Sequence, residues 1–452
     1  MHFIKKLIYQ ATHTPIGKNI IANFFKVLII FINQIMLVPL YILYWGTDLY
    51  SDWIILYAIT SFFTLSDIGL NNVTTNRFCM EYVQNNLQTC KSLLVNNFIL
   101  ITFIGSIFTV STFLYGYNND LTSSLGLHCV NNQTANFVLT TLVLQIFLTM
   151  ASSIMDAVYY AHSKSAKATY LNNINKLSNS LIILIGILLH LSLPSITTIG
   201  LFPSIIILIY KHYNTKKLFP YHLSLKDKNF ILLKEIIRPS IAYMAFPIGN
   251  IIIFQGFTLL INSYFGPANL ILFNTTRTMV NFIRTMIQTI TSAIKPEFTL
   301  AFGRKDYNFM KQIHRRTLFS CLTLSIIISL FFLIAGPLIY KIWTSNKIEF
   351  HYILMLNLAI AMILNSVWEA SGATLMSTNN HIGLGRIYII SSILSISIGF
   401  ISSKYLESLN FTALSLSICD LFMSIYAVRK ALSLTKDKLS IKKWEHIPKF
   451  VL

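Results

Sequence analysis

The sequence predicts an all-α polytopic membrane protein with about twelve transmembrane helices and both termini in the cytoplasm. Three observations carry that prediction. The first is composition: hydrophobic residues make up 54% of the 452, charged residues only 11%, and mean hydropathy is +0.62. A soluble chain carries roughly twice that share of charge. The second is continuity, because the apolar segments are unbroken and long enough for helices rather than barrel strands. The third is where the positive charge falls along the chain.

Spans are predicted over residues 19–44, 53–75, 93–115, 137–160, 168–191, 195–211, 239–264, 268–293, 317–340, 351–375, 382–402 and 408–428. Each is near the ~20 residues that cross a hydrocarbon core about 30 Å thick. With the N-terminus inside, 28 of the 35 Lys and Arg residues fall in inner segments and only 3 in outer loops. Positive residues concentrate on the cytoplasmic side of membrane proteins, and a misplaced span would destroy that ratio. Trp45, Trp53 and Trp343 sit at predicted outer boundaries, where indole rings prefer the interface. The net charge of +19 is therefore mostly topology, and nucleic-acid binding is not expected.

The long basic connection 211–238 divides the spans six and six. This gives an N-terminal lobe over 1–210, a linker over 211–238, a C-terminal lobe over 239–428 and a basic tail over 429–452. The halves begin alike. The first span ends at Trp45-Gly46 and the seventh at Phe265-Gly266, each followed by a short outer loop and another span. Corresponding spans run the same way, which fits a parallel repeat about an axis along the membrane normal.

No catalytic constellation appears. There is no P-loop, HExxH or GxSxG, and the largest outer loop, 116–136, offers only Asp120 and His128. Five scattered cysteines without a CxxC predict neither a zinc site nor a disulfide framework, and no cofactor is expected. The first 18 residues lack a cleavable signal peptide, so the first span is expected to target the chain.

The chemistry lies inside the spans. In the eighth, NTTRTMVNFIRTMIQT (274–289) puts Arg277, Asn281, Arg284 and Gln288 on one stripe, with Val280, Ile283 and Ile287 elsewhere. Thr60, Thr64, Asp67, Asn71 and Thr74 follow helical spacing in the second span, as do Gln145, Thr149, Ser152 and Asp156 in the fourth. Lys26 aligns with Asn33, Asn172 with Lys176 and Asn179, Asn365 with Glu369, and Ser417 with Asp420 and Ser424. A charge at the bilayer centre costs at least ~2.5–3.5 kcal/mol, so these groups should face a hydrated cavity or one another. Lys26, Lys176 and Asp156 lie near the inner boundary, where snorkelling is the competing reading. Arg277 and Arg284 read either as a cationic wall for an anionic group or as partners of Asp420 or Glu369. Arginine suits phosphate through its planar fork. Neutral Asn, Gln and Thr side chains such as Asn281, Gln288, Asn33, Thr64 and Asn71 suit sugar hydroxyls, or simply join helices. Asp67, Asp420, Glu369 and Asp156 are the candidates for coupling to a proton or sodium gradient. Pro39, Pro247 and Gly249 weaken the opening spans of each lobe, and Trp368 is placed either on a sugar ring or in lipid.

Three stretches carry a family resemblance. YAITSFFTLSDIGLNNVTTNRF (57–78) resembles the second span of bacterial polysaccharide repeat-unit flippases, with the aspartate-x-glycine-leucine element at Asp67, Gly69 and Leu70. IKPEFTLAFGRKDYNFMKQIHRR (294–316) is similar to their inner loop after the eighth span, and TLMSTNNHIGLGRIYIISSILSISIGF (374–400) to their tenth-to-eleventh connection. These Wzx-type O-antigen flippases belong to the multidrug/oligosaccharidyl-lipid/polysaccharide exporter superfamily. The resemblance implies two six-helix lobes around a central cavity in a bacterial inner membrane. It implies alternating access and a polyprenyl-diphosphate-linked (undecaprenyl) oligosaccharide as cargo for O-antigen or capsule, with the polymerase and chain-length machinery as partners. Family cavities are cationic, which matches Arg277 and Arg284, and more loosely Lys26; Lys176 is a further candidate to meet the diphosphate. Two alternatives stay open: an ion-coupled multidrug or metabolite antiporter, and a membrane glycan polymerase or glycosyltransferase. The antiporters place an acid in the first span, and residues 19–44 contain none.

Overall fold

The computed structural model of the chain describes residues 14–32, 38–67, 69–127, 129–221, 229–343 and 348–436. Every regular element among them is helical. The chain forms two compact units, Met1–Ile241 and Ala242–Leu452. Numbering the longer helices, the first unit contains α1 (Pro15–Ile32), α2 (Val38–Phe63), α3 (Leu70–Val83), α4 (Leu87–Asn118), α5 (Asn132–Ile154), α6 (Ser165–Leu188) and α7 (Leu193–Leu218). Helix α8 (Phe230–Tyr243) reaches the second unit, which holds α9 (Ala245–Gly303), α10 (Tyr307–Trp343), α11 (Tyr352–Ser377), α12 (Ile382–Tyr405) and α13 (Leu416–Lys436).

Among the described residues nine helices are long and apolar enough to cross a membrane. They coincide with the third to seventh and ninth to twelfth predicted spans. The other three differ for separate reasons. The first includes residues 33–37, which lie outside the described set. The eighth is an unbroken helix, but its arginines and amides lower its average hydropathy. The second is interrupted: α2 ends at Phe63, a 3-10 turn covers Thr64–Asp67, and Gly69 adopts a left-handed φ of 72° before α3 starts. Glycine takes that conformation without a Cβ penalty. The Asp67 carboxylate accepts the Asn71 N–H at 3.0 Å, capping the restarted helix. The expected continuous stripe from Thr60 to Thr74 is therefore corrected to two short faces on separate helices.

In the first unit α5 is central and packs against α2, α4 and α7. Its core joins Trp53, Leu56, Val138, Leu139 and Leu142. Trp53 is 5% exposed and stands edge-on to Trp45, so it is a core residue rather than the interfacial anchor expected. Trp343, by contrast, is exposed. In the second unit α11 is central, packed against α9, α10 and α13. Its inner half carries Ser366, Ala370, Ser371, Gly372, Ala373 and Thr374, all buried. Small side chains let helix backbones approach closely, and hydroxyls add bonds across the seam. Ser366 meets Ser325 of α10 at 3.0 Å, and Ser371 meets His314 at 3.0 Å.

Two glycines sit at matching places in the two units. Gly46 breaks α2 with φ 72° and ψ 178°, and Gly266 breaks α9 with φ 77° and ψ 176°. Both fall in a region open essentially to glycine alone. An added Cβ meets nothing within 4 Å at either position, so any cost of substitution is backbone strain. Gly46→Ala and Gly266→Ala are each expected to cost about 1–3 kcal/mol. Thermal unfolding in detergent measures this; unchanged midpoints for both would show that the breaks do not need glycine.

Candidate functional site

Helix α9 enters the second unit after a one-residue interruption at Met244. Pro247 has no N–H to offer the Tyr243 carbonyl four residues back, which accounts for the gap. Beyond Gly266 the helix is oriented by its apolar face. Val280, Ile283 and Ile287 are at most 1% exposed and join Phe257, Ile261, Leu354 and Leu358 in one core. In a lipid surrounding it is close packing and interhelical bonding, rather than exclusion from water, that fix the helix rotation. The adjoining stripe, Arg277, Asn281 and Arg284, then lines a cavity of about 540 Å³, counting the space at its mouth, with Val280 at its edge. Phe254, Asn365, Tyr388 and Asp420 supply other walls.

Arg277 donates through Nη1 to the Phe254 carbonyl at 3.0 Å, and through Nη2 to Thr258 Oγ1 at 3.0 Å and Asn274 Oδ1 at 2.6 Å. Arg284 donates through Nη2 to Asn250 Oδ1 at 2.8 Å, and Tyr388 donates its hydroxyl to the same oxygen at 3.0 Å. The Phe254 ring centroid lies 5.1 Å from the Arg277 guanidinium carbon and 5.3 Å from that of Arg284. Such contacts stabilise cations away from water. Among the described residues no carboxylate comes within 4.0 Å of either guanidinium. Asp420 lines the cavity, but its Oδ1 accepts from Asn365 Nδ2 at 3.0 Å and Trp368 Nε1 at 2.8 Å. Glu369 accepts from Gln288 at 3.3 Å. Trp368 is 2% exposed, so it stands neither in lipid nor open to a sugar ring.

The remaining sequence candidates are dispersed. Lys26 and Lys176 are exposed on α1 and α6, which run side by side, tied by Asn19 to Ser165 at 2.6 Å and by Asn173 to the Ala22 carbonyl at 2.8 Å. Asn33 lies outside the described residues. Thr64 is exposed at the start of the 3-10 turn. Asn71 is buried, donating to the Met150 carbonyl and accepting from Asn97 at 2.9 Å, which makes it a link between helices. Asp156 is held by Lys211 at 2.6 Å and Asn172 at 2.9 Å, and Lys211 in turn reaches Asn172 at 2.8 Å. Lys211, assigned to the linker by sequence, is fully buried in α7. On the outer side, Asp120 caps the short helix Leu121–Leu125, and its bonds from the Thr122 hydroxyl and amide hold its carboxyl below the usual value. His128 lies outside the described residues. Among the described residues no cluster of His, Cys, Asp and Glu suits a metal.

Sequence reasoning missed Asn250, Phe254 and Tyr388. Gly249 was the available signal, read as a weak point in a helix. Its role is space: a Cβ there would lie 2.6 Å from the Tyr388 ring.

No family model and no curated protein matches the chain. Solved structures do. A MATE point mutant superimposes with TM-score 0.77 at 13% identity, over 95% of this chain and 99% of that one. An outward-facing multidrug resistance MATE transporter of the MOP superfamily gives TM-score 0.75 at 12% identity, over 94% and 96%. A MOP superfamily transporter from Pyrococcus furiosus, reported with a binding pocket of reverse polarity that suggests a different function, gives TM-score 0.74 at 12% identity, over 95% and 98%. The chain therefore has the all-helical fold of these multi-pass transporters.

Two predictions follow from the packing. Gly249→Ala is expected to cost about 1–3 kcal/mol by overpacking, and Tyr388→Leu in the same chain should recover most of it; melting in detergent reads both. Lys211→Met is expected to cost about 3–5 kcal/mol because it strands the Asp156 charge. Combining it with Asp156→Leu should restore much of that loss, and an additive double variant would show that the two residues do not act as a pair.

Proposed function

We propose that the chain is a flippase that moves a polyprenyl-diphosphate-linked oligosaccharide from the inner to the outer leaflet of a bacterial cytoplasmic membrane. It does so by alternating access, for O-antigen or capsule assembly. One observation carries the reading: two guanidinium groups on a cavity wall, inside an apolar bundle, without a carboxylate of the described residues in contact. Such groups are costly in a membrane and mark functional sites by default. A positive wall lowers the cost of bringing an anionic diphosphate headgroup into the bundle, and amides beside it suit sugar hydroxyls. The carboxylate at hand, Asp420, is already bonded to Asn365 and Trp368.

A second reading, an ion-coupled multidrug or metabolite antiporter, is favoured by the fold neighbours, which include MATE transporters. Two arginines beside one carboxylate disfavour cationic drugs, and the reverse pocket polarity reported for the Pyrococcus furiosus neighbour supports the idea that this fold hosts sites of different charge. A polymerase or transferase is disfavoured because Asp120, the acid of the large outer loop, serves as a helix cap.

Deleting the gene and locating the lipid-linked oligosaccharide separates these readings. A flippase defect traps complete units on the inner leaflet. A polymerase defect displays single units outside, and an antiporter defect changes drug sensitivity with surface glycan intact. The Arg277→Ala/Arg284→Ala double variant removes the positive wall together with the Arg277 bonds to Phe254, Thr258 and Asn274. At matched membrane levels of protein it should lower surface polysaccharide at least about tenfold, and Arg284→Ala alone should lower it in the same direction. Normal surface glycan in the double variant sinks the cationic-wall mechanism.

A further inference from the structure

Arg277 and Arg284 carry the same charge but differ in how many donors they have left. Arg277 gives both hydrogens of Nη2 to Thr258 and Asn274, and one of Nη1 to the Phe254 carbonyl. Phe254 and Thr258 precede the Gly266 break and Asn274 follows it, so Arg277 straps the two segments of α9 together. Arg284 makes one bond, from Nη2 to Asn250. Its Nε–H is buried with no partner. One turn earlier, Asn281 Oδ1 is also buried with no partner. Both side chains line the same cavity. A buried donor and a buried acceptor left unpaired are each costly, and native structures rarely leave them so without a reason.

We infer that Arg284 and Asn281 form a two-point subsite for one anionic sugar unit, and that Arg277 is a strap that gives no bond to the ligand. An anionic oxygen accepts from Arg284 Nε–H, and a neighbouring hydroxyl donates to Asn281 Oδ1. The inference deepens the proposed function and rests on the cavity receiving the saccharide headgroup. The pairing selects the ligand. A diphosphate that is fully ionised, as inorganic diphosphate is at alkaline pH, or esterified at both ends presents acceptors to Arg284 but brings no donor for Asn281, and a neutral sugar brings hydroxyls but no anionic oxygen. A sugar phosphate or a uronic sugar carries both within one sugar unit. Phe254 and Tyr388 supply aromatic walls to the same cavity.

The test uses the purified full chain in detergent at alkaline pH, with melting followed during titration by glucose 1-phosphate, glucuronate, glucose and inorganic diphosphate. Saturable protection is expected from glucose 1-phosphate, from glucuronate, or from both. The first identifies a reducing-end sugar phosphate as the natural group and the second an acidic sugar. Glucose and inorganic diphosphate should protect at least about tenfold more weakly, as expected for losing one of two charge-assisted or neutral bonds. Arg284→Lys and Asn281→Leu should each raise the half-saturating concentration about tenfold. Arg277→Lys should lower the melting temperature without ligand and leave half-saturation within about threefold. The inference is overturned if no sugar anion protects, if inorganic diphosphate protects equally, or if Arg277→Lys weakens the ligand as much as Arg284→Lys does. Trapped lipid-linked units in the deletion strain, together with no sugar-anion binding, would leave the flippase reading standing and remove the subsite. Binding without trapped units would do the reverse.

Discussion

Two guanidinium groups have to be held inside an apolar helix bundle with no carboxylate of the described residues touching them, and the second unit is arranged around that requirement. Helix α9 bends at Gly266, which brings its first segment back within reach of the arginines on its second. The Thr258 hydroxyl donates to the Phe254 carbonyl at 2.7 Å, and Arg277 bonds to both oxygens. The carbonyl thus accepts from both the Thr258 hydroxyl and the cation. The aromatic face of Phe254 serves both cations at once. Neutral oxygens and a ring can solvate a cation while leaving its field in place, whereas a carboxylate would cancel it.

The first unit meets the same physical problem with the opposite solution. Asp156, Asn172 and Lys211 form a closed ring of three bonds, and Lys211 is entirely covered. Opposite charges in contact recover through Coulomb attraction and hydrogen bonds what they lose in hydration. Such a pair presents almost no net field to its surroundings. One unit therefore uses its buried charge to hold helices together, and the other keeps its charge available.

Much of this was legible because it depends on spacing. The seven-residue interval between Arg277 and Arg284, and the placement of Val280, Ile283 and Ile287 on another face, follow from helical geometry alone. The aromatic-glycine pairs at Trp45-Gly46 and Phe265-Gly266 marked both breaks, because a glycine after a long apolar run has few other uses. What stayed hidden depends on tertiary contact or on local backbone choice. The interruption at Gly69 lies within an apolar run whose periodicity continues on paper, and only the left-handed φ reveals it. Lys211 looked like linker because α7 runs several residues past its apolar stretch. Asn250 and Tyr388 meet across 138 positions of sequence, with a glycine making the room, and no single-helix pattern encodes that meeting.

The matched breaks at Gly46 and Gly266 set the two units in a common frame, offset by 220 residues. In that frame Arg277 falls opposite Tyr57, and Arg284 opposite Thr64, both neutral. The two frames share that break and then part: the first unit breaks again between Thr64 and Gly69, where the second runs on as helix through Arg284. The electrical character of the vestibule is thus separable from the architecture that frames it.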